Sequence, residues 1–210
     1  MFLEISRIKI KLLSIFAIPL LAMTVFMGQA NADAVIVTSR APGTLGHTSV
    51  ISQDKDGRWY YFYWGHRISY ERQVPDKYME NIDTFNEWML QQKNEDNKLK
   101  KITSHYAYGI YVKGDFTKAT EYYSNKIKNY SPYTYFLGLQ LCSVVSRKAL
   151  NKGILPDGKP FTKQLKYILK DYIPLYDVFP DNYRKLIERS FRGTEYEGPA
   201  DWGDIKNPKK

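Results

Sequence analysis

In residues 47–64, two runs of β-branched and aromatic side chains flank a short polar segment. Residues 47–53 and 58–64 predict two β-strands, because both runs are rich in β-branched or aromatic side chains. Residues 54–57 have the composition of a tight turn, with Gly57 where a left-handed backbone is expected. The pattern therefore predicts a β-hairpin.

The turn sets the register of this hairpin. With this turn Gln53 pairs with Arg58, and His47 lies opposite Trp64. His66 is then a diagonal neighbour of His47 on the same face of the sheet. A second histidine at that position would orient the first through a hydrogen bond between the two rings.

A further strand and a helix are predicted beyond the hairpin. Residues 106–113 alternate like a strand, with one face formed by Tyr106, Tyr108, Ile110 and Val112. Between the hairpin and this strand, Asp83 is suited to cap a helix whose apolar face carries Phe85, Trp88 and Met89.

After this strand the period changes to that of amphipathic helices, which are predicted over residues 116–129, 138–152, 162–172 and 181–193. Residues 193–210 contain few aliphatic side chains and are expected to form a flexible tail. The chain shows no internal repeat and no domain linker. It therefore predicts one α+β domain over residues 33–192, with a small antiparallel sheet packed against helices.

Residues 1–32 have the three parts of a signal peptide. Arg7, Lys9 and Lys11 supply a positive start, a mostly apolar stretch follows them, and Ala32 ends a small-residue cleavage site. The alternative is a membrane anchor that is retained, but the apolar stretch is short for a span. We therefore expect the mature chain to be exported to a periplasm or secreted.

The charge of the chain bears on its partners. The formal net charge is +9, of which the leader supplies +2 through Glu4, Arg7, Lys9 and Lys11. A basic exported protein is attracted to anionic polymers, so peptidoglycan or an anionic lipid surface is the favoured partner. Nucleic acid is not expected, because only the charge supports it and export argues against it. A monomer is expected.

The motifs of cofactor and metal binding are absent from the sequence. It has no glycine-rich phosphate loop, no His-Glu-x-x-His motif and no clustered Cys/His spacing. The sequence therefore predicts neither a cofactor nor a metal.

Cys142 is the only cysteine of the chain. A single thiol cannot form a disulfide within an exported chain, so it is either packing or a reactive group. It lies near the start of a predicted helix, where unpaired backbone N–H groups stabilise a thiolate. Val145 and Ala149 follow at helical spacing, so Cys142 is expected on the buried face of that helix.

A reactive cysteine needs a base, and histidine is the usual one. Among the three histidines, His47 is the best candidate because it follows Gly46 at a strand end, where it is expected to be accessible. His66 is the candidate for the group that orients His47.

These segments resemble a known family. Gly-His-Thr-Ser-Val-Ile at residues 46–51 and Trp-Tyr-Tyr-Phe at residues 59–62 resemble the histidine hairpin of circularly permuted papain-like cysteine hydrolases. That group is related to cell-wall endopeptidases and to lecithin:retinol acyltransferase proteins. Tyr-Phe-Leu-Gly-Leu-Gln-Leu-Cys at residues 135–142 is similar to the family's segment that ends in the nucleophile. The similarity covers residues 44–150.

The resemblance implies a permuted papain-like fold and a thiolate attack on a carbonyl, with Cys142 as nucleophile and His47 as base. In the family the carbonyl belongs to a peptidoglycan or protein amide or to a lipid ester, and export with a basic charge favours the cell-wall amide. The aromatic side chains expected to contact the substrate are Trp59, Tyr61, Trp64 and Tyr135.

Two alternatives stay open at this point. One is a phospholipid or acyl-ester hydrolase or acyltransferase of the same fold. The other is a non-catalytic exported binding module, in which Cys142 is a small buried side chain that only packs.

Overall fold

An antiparallel sheet of five strands lies at the centre of the described part of the chain. The strands are β1 Ala34–Ser39, β2 His47–Gln53, β3 Trp59–Trp64, β4 Ser69–Val74 and β5 Tyr108–Val112. Their order across the sheet is β4-β3-β2-β1-β5, and every pair of neighbours is antiparallel. The strand that begins with His47 is therefore the middle strand of the sheet.

The structure is a computed structural model that describes residues 31–39, 46–96, 99–100, 102, 105–131, 141–166, 180–199 and 202. The predicted signal peptide and Tyr135 lie outside the described residues, apart from Asn31 and Ala32 at the end of the leader.

Helices pack on both faces of the sheet. They are α1 Ile82–Glu95, α2 Thr117–Lys128, α3 Cys142–Leu150, α4 Phe161–Gln164 and α5 Pro180–Phe191, with a short 3-10 turn at Asp76–Tyr78. Within the described ranges, no helix has the length and apolar character needed to cross a membrane.

Two hydrophobic cores result from the alternation of side chains along the strands. On one face Val50 and Phe62 pack with residues of α2, α3 and α5. On the other face Ile51 and Tyr61 pack under α1, next to Phe85. The chain is thus an α+β protein with a small antiparallel sheet packed against helices, as the sequence predicts.

The hairpin is confirmed, but its predicted register is wrong by one residue. Gln53 pairs with Trp59 and not with Arg58. Arg58 stays in the turn, because its backbone N–H and its guanidinium both donate to the Asp54 carboxylate. Gly57 has a φ of 77°, the left-handed conformation expected there.

The shifted register separates two residues that were predicted to face each other. A one-residue shift moves a side chain to the opposite face of the sheet. Trp64 consequently packs in the core under α2, α3 and α5. His47 instead stacks on Tyr63, with the ring centroids 4.3 Å apart.

The predicted helix with an apolar face of Phe85, Trp88 and Met89 is confirmed as α1, and these three side chains are buried. Its cap is Asn81 and not Asp83: the Asn81 side chain accepts from the backbone N–H of Asp83 and Thr84. Asparagine preceding threonine by three residues forms a capping box, which completes the hydrogen bonds of this helix end.

The prediction for Tyr106 is wrong. The strand starts at Tyr108, whose side chain shares a core with Ile110 and Val112. Tyr106 precedes the strand and packs in the other core, under α1. Its backbone is held by the Asn86 side chain, which accepts from its N–H (2.8 Å) and donates to its C=O (2.9 Å).

The helices after β5 are confirmed where they are described. α2 matches the predicted 116–129 helix closely, and α3 begins at Cys142 within the predicted 138–152 helix. α5 ends at Phe191, before Gly193. The predicted 162–172 helix is an exception: α4 ends at Gln164, because Leu165 has an extended backbone with a ψ of 118°. Residues 167–172 lie outside the described residues.

The described parts of the predicted tail are packed, contrary to the expectation from their composition. Tyr196 is 5% exposed and belongs to the core under α2, α3 and α5. Trp202 is 1% exposed and belongs to the core under α1, where its ring lies against Gly109. Tyr196 and Trp202 are therefore core residues, although this part of the sequence has few aliphatic side chains.

We predict that Trp202→Ala lowers the free energy of unfolding by about 3–5 kcal/mol, because it leaves a large cavity in the core under α1. Leu90→Ala is the matched control, since Leu90 is 57% exposed and should change stability by less than about 0.5 kcal/mol. Chemical denaturation measures both. Equal effects of the two substitutions would show that the end of the chain is not packed.

Candidate functional site

Cys142 is the first residue of α3, where the sequence predicts a nucleophile. Val145 and Ala149, on the same helix face, are 1% and 0% exposed, so the predicted buried face is confirmed. Cys142 itself is 3% exposed, yet it belongs to neither hydrophobic core. It lies instead beside the first residues of β2.

Three backbone N–H groups lie near enough to the sulfur to lower the pKa of the thiol. They belong to Cys142 itself, to Ser143 in the first turn of α3 and to Thr48 in β2. Burial acts in the opposite direction and is the larger effect, so the pKa of Cys142 is raised. In the free protein the thiol therefore stays protonated at neutral pH.

Gly46 explains why His47 lies at this position. Its φ is 73°, and a Cβ atom there would be 2.8 Å from the carbonyl oxygen of Ser39. Glycine alone accommodates both the left-handed backbone and this close approach. The Gly-His pair of the sequence thus has a physical cause, since it starts β2 tightly against the end of β1.

The His47 ring is held on two sides. It stacks on Tyr63, and its Nε2 atom is 3.0 Å from the Ser49 hydroxyl. The residue is 8% exposed, so the expectation of an accessible histidine is wrong. Burial lowers its pKa from 6.5 to about 3, and the ring is therefore neutral at physiological pH.

The structure brings Cys142 and His47 to the same end of β2. The sulfur meets the N–H of Thr48, which is the residue after His47. Cys142 is also near enough to Tyr106 to affect its pKa, and Tyr106 is one hydroxyl away from the His47 ring. Both side chains are described, and no hydrogen bond joins the thiol to the imidazole. A catalytic hydrogen bond often forms only when substrate is bound.

A cluster of three buried hydroxyls continues from His47. The Ser49 hydroxyl is 2.9 Å from that of Tyr106, which in turn makes a short hydrogen bond with that of Tyr61. We call Ser49, Tyr106 and Tyr61 the hydroxyl cluster. Sequence reasoning missed its role, and the one available signal was that Ser49 follows His47 by two residues and so shares its face of the strand.

His66 does not take the predicted position. It is exposed in the bend between β3 and β4. His47 Nε2 bonds to Ser49, and the His47 ring makes no hydrogen bond with His66. The register shift is the cause, because it brings Tyr63 to the place beside His47.

The aromatic side chains predicted to contact a substrate are core residues where they are described. Trp59, Tyr61 and Trp64 are 6%, 0% and 1% exposed. Their rings fill the two cores and form no exposed surface. The fourth, Tyr135, lies outside the described residues.

In the ranges that the structure covers, no group of three or more His, Cys, Asp or Glu side chains could hold a metal ion. Comparison with known protein families, curated proteins and solved structures finds no match for this chain. The site is therefore interpreted from its own geometry.

We predict that the neutral His47 ring makes stability depend on pH. The unfolded chain binds a proton near pH 6.5 and the folded protein only near pH 3, so the stabilisation is complete above pH 6.5 and is lost as the pH falls. Relative to His47→Gln, the wild-type free energy of unfolding should fall by about 1.4 kcal/mol per pH unit in this window. Urea unfolding of both proteins at several pH values measures the difference, and parallel curves would contradict the burial of a neutral imidazole.

Proposed function

We propose that this protein is an exported cysteine hydrolase with a permuted papain-like fold, and that it cleaves an amide bond in cell-wall peptidoglycan. One observation carries the proposal. The sulfur of Cys142, at the N-terminus of α3, lies near the backbone N–H of Thr48, the residue directly after His47. Acyl transfer requires a nucleophile, a base and backbone donors, and this placement supports those roles.

The first step is attack of Cys142 Sγ on the substrate carbonyl carbon. His47 Nε2 is engaged by Ser49, so Nδ1 is the ring nitrogen left to accept the thiol proton. Both groups are neutral in the free protein, since the pKa of the thiol is raised and that of the imidazole is lowered. The proton therefore moves during the attack, and no ion pair exists beforehand.

The attack turns the carbonyl oxygen into an oxyanion, which the backbone N–H of Cys142 and one neighbouring N–H would stabilise. The C–N bond then breaks, and the amine leaves with the proton from His47. Water, deprotonated by His47, attacks the thioester, and the carboxylic acid and free thiol are released.

Two buried threonine hydroxyls support a polar ligand at this place. Thr38 and Thr48 face each other across β1 and β2, and within the described part of the chain their hydroxyls have no hydrogen-bond partner. Buried polar groups without partners are rare in proteins because they cost stability. A substrate with amide and hydroxyl groups would supply the missing partners.

The choice of substrate rests on the leader and on the charge. A signal-peptide-like start leads outside the cytoplasm, where peptidoglycan is the abundant amide-containing polymer of bacteria. Without the leader the formal net charge is 9 − 2 = +7, which favours the carboxylates of peptidoglycan.

A second candidate function is a non-catalytic exported binding module. The exposed fractions of 3% for Cys142 and 8% for His47 favour it, because a substrate must reach both groups. Under this alternative the thiol is an inert side chain at a helix end.

We expect the mature protein to release new amino groups from purified peptidoglycan. Cys142→Ala should lower the rate by at least about 1,000-fold, and His47→Ala by about 100-fold or more. Mass spectrometry of the products identifies the cleaved bond. Phospholipid vesicles are tested in parallel, and fatty-acid release would assign the ester substrate.

Lys148→Ala, on the exposed side of the same helix, is the matched control and should keep full activity. His66→Ala should also keep most activity, since its exposed ring makes no bond with His47. An active Cys142→Ala protein would refute the nucleophile assignment. Absence of activity on every substrate, with an unreactive thiol, would favour the binding module.

A further inference from the structure

We propose that Ser49 is the positioning residue of the His47 base, and that Tyr106 and Tyr61 hold its hydroxyl in place. This inference rests on the proposed function and assigns to Ser49 the orienting role that was predicted for His66. It makes the hydroxyl cluster a functional part of the site.

The first argument is geometric. Ser49 Oγ is 3.0 Å from His47 Nε2 and 2.9 Å from the Tyr106 hydroxyl, and it is fully buried. Stacking on Tyr63 restricts the plane of the ring, but a 180° flip about the Cβ–Cγ bond restores that plane with nitrogens and carbons exchanged. The hydrogen bond to Ser49 selects one of these two orientations and leaves Nδ1 as the nitrogen available to Cys142.

The hydrogen bonds from His47 into the hydroxyl cluster allow the ring to act as a base. A base needs an unprotonated Nδ1, so Nε2 must carry the proton and donate it to Ser49. Ser49 then donates to Tyr106, and Tyr106 donates to Tyr61. The hydroxyl protons of Ser49 and Tyr106 thus both have an acceptor in the tautomer that the chemistry requires.

The hydroxyl cluster is held in place by α1. Asn86, on α1, bonds to both the N–H and the C=O of Tyr106. The Tyr61 ring packs against Phe85 and Trp88 on the same helix. The packing of α1 on the sheet therefore holds the Tyr106 hydroxyl in place, and this hydroxyl bonds to the Ser49 hydroxyl beside His47.

A hydroxyl differs from a carboxylate in what it does for the base. It fixes the orientation of the ring, since it can pair with Nε2 as donor or as acceptor, but it adds no negative charge to stabilise an imidazolium. His47 is consequently protonated only during the reaction.

The test combines nitrogen NMR with kinetics. In protein labelled with ¹⁵N-histidine, wild-type His47 should show one neutral tautomer with the proton on Nε2. Ser49→Ala should change the tautomer populations and lower kcat on peptidoglycan by about 10- to 100-fold, a part of what a whole base contributes, with little change in KM. Tyr106→Phe should change the tautomer populations and kcat in the same direction by a smaller factor. It is the variant that keeps the test valid if Ser49→Ala folds poorly.

Ser52→Ala is the matched control. Ser52 is a buried serine on the same strand whose hydroxyl bonds to that of Thr120, on the other face of the sheet, so its loss should leave the His47 signals and kcat unchanged. Unchanged His47 signals in Ser49→Ala would overturn this inference even if Cys142→Ala is inactive. A changed tautomer in a protein without Cys142-dependent activity would overturn the proposed function, and the catalytic role of Ser49 with it.

Discussion

The contact between the start of α3 and the start of β2 is the constraint on which the rest of the site depends. It brings the sulfur of Cys142 near the backbone N–H of Thr48. Because His47 directly precedes Thr48, the same contact sets where the thiol lies relative to His47. Both sides of this contact are set by the backbone. Gly46 permits the tight approach of β2 to Ser39, and the buried face of α3 orients Cys142. The proposed chemistry depends on how one helix packs on one strand.

Burial changes the two titrating groups in a consistent way. It raises the pKa of the Cys142 thiol and lowers that of the His47 imidazole, and both changes favour the neutral pair. A papain-like site with a preformed thiolate–imidazolium pair would require the opposite changes. The neutral pair suits a base whose partner is the Ser49 hydroxyl, because no nearby carboxylate is needed to balance a positive ring. The hydroxyl cluster and the neutral state of the Cys142 thiol and the His47 ring are therefore consistent with each other.

Much of the fold follows from sequence pattern, and the failures have identifiable physical causes. The hairpin is marked by its turn and by β-branched and aromatic side chains, and α1 and α2 are marked by helical periods. β1 was missed because all six of its side chains are buried and no alternation is visible, and β4 because it is a polar strand at the edge of the sheet. The register depended on the Arg58 side chain remaining in the turn. Cys142 and His47 were identified by their residue types, whereas Ser49 was not, since a serine on a strand carries no signal until its partner is known.

The most direct test of the account is to trap the acyl-enzyme. The protein is mixed with a short p-nitrophenyl ester, quenched in acid within seconds, and digested to locate the acyl group by mass. We expect an acyl group on Cys142 in the wild-type protein and almost none in folded His47→Ala. Equal acylation of both proteins, or acylation of Cys142 only after unfolding, would contradict the claim that His47 activates this thiol.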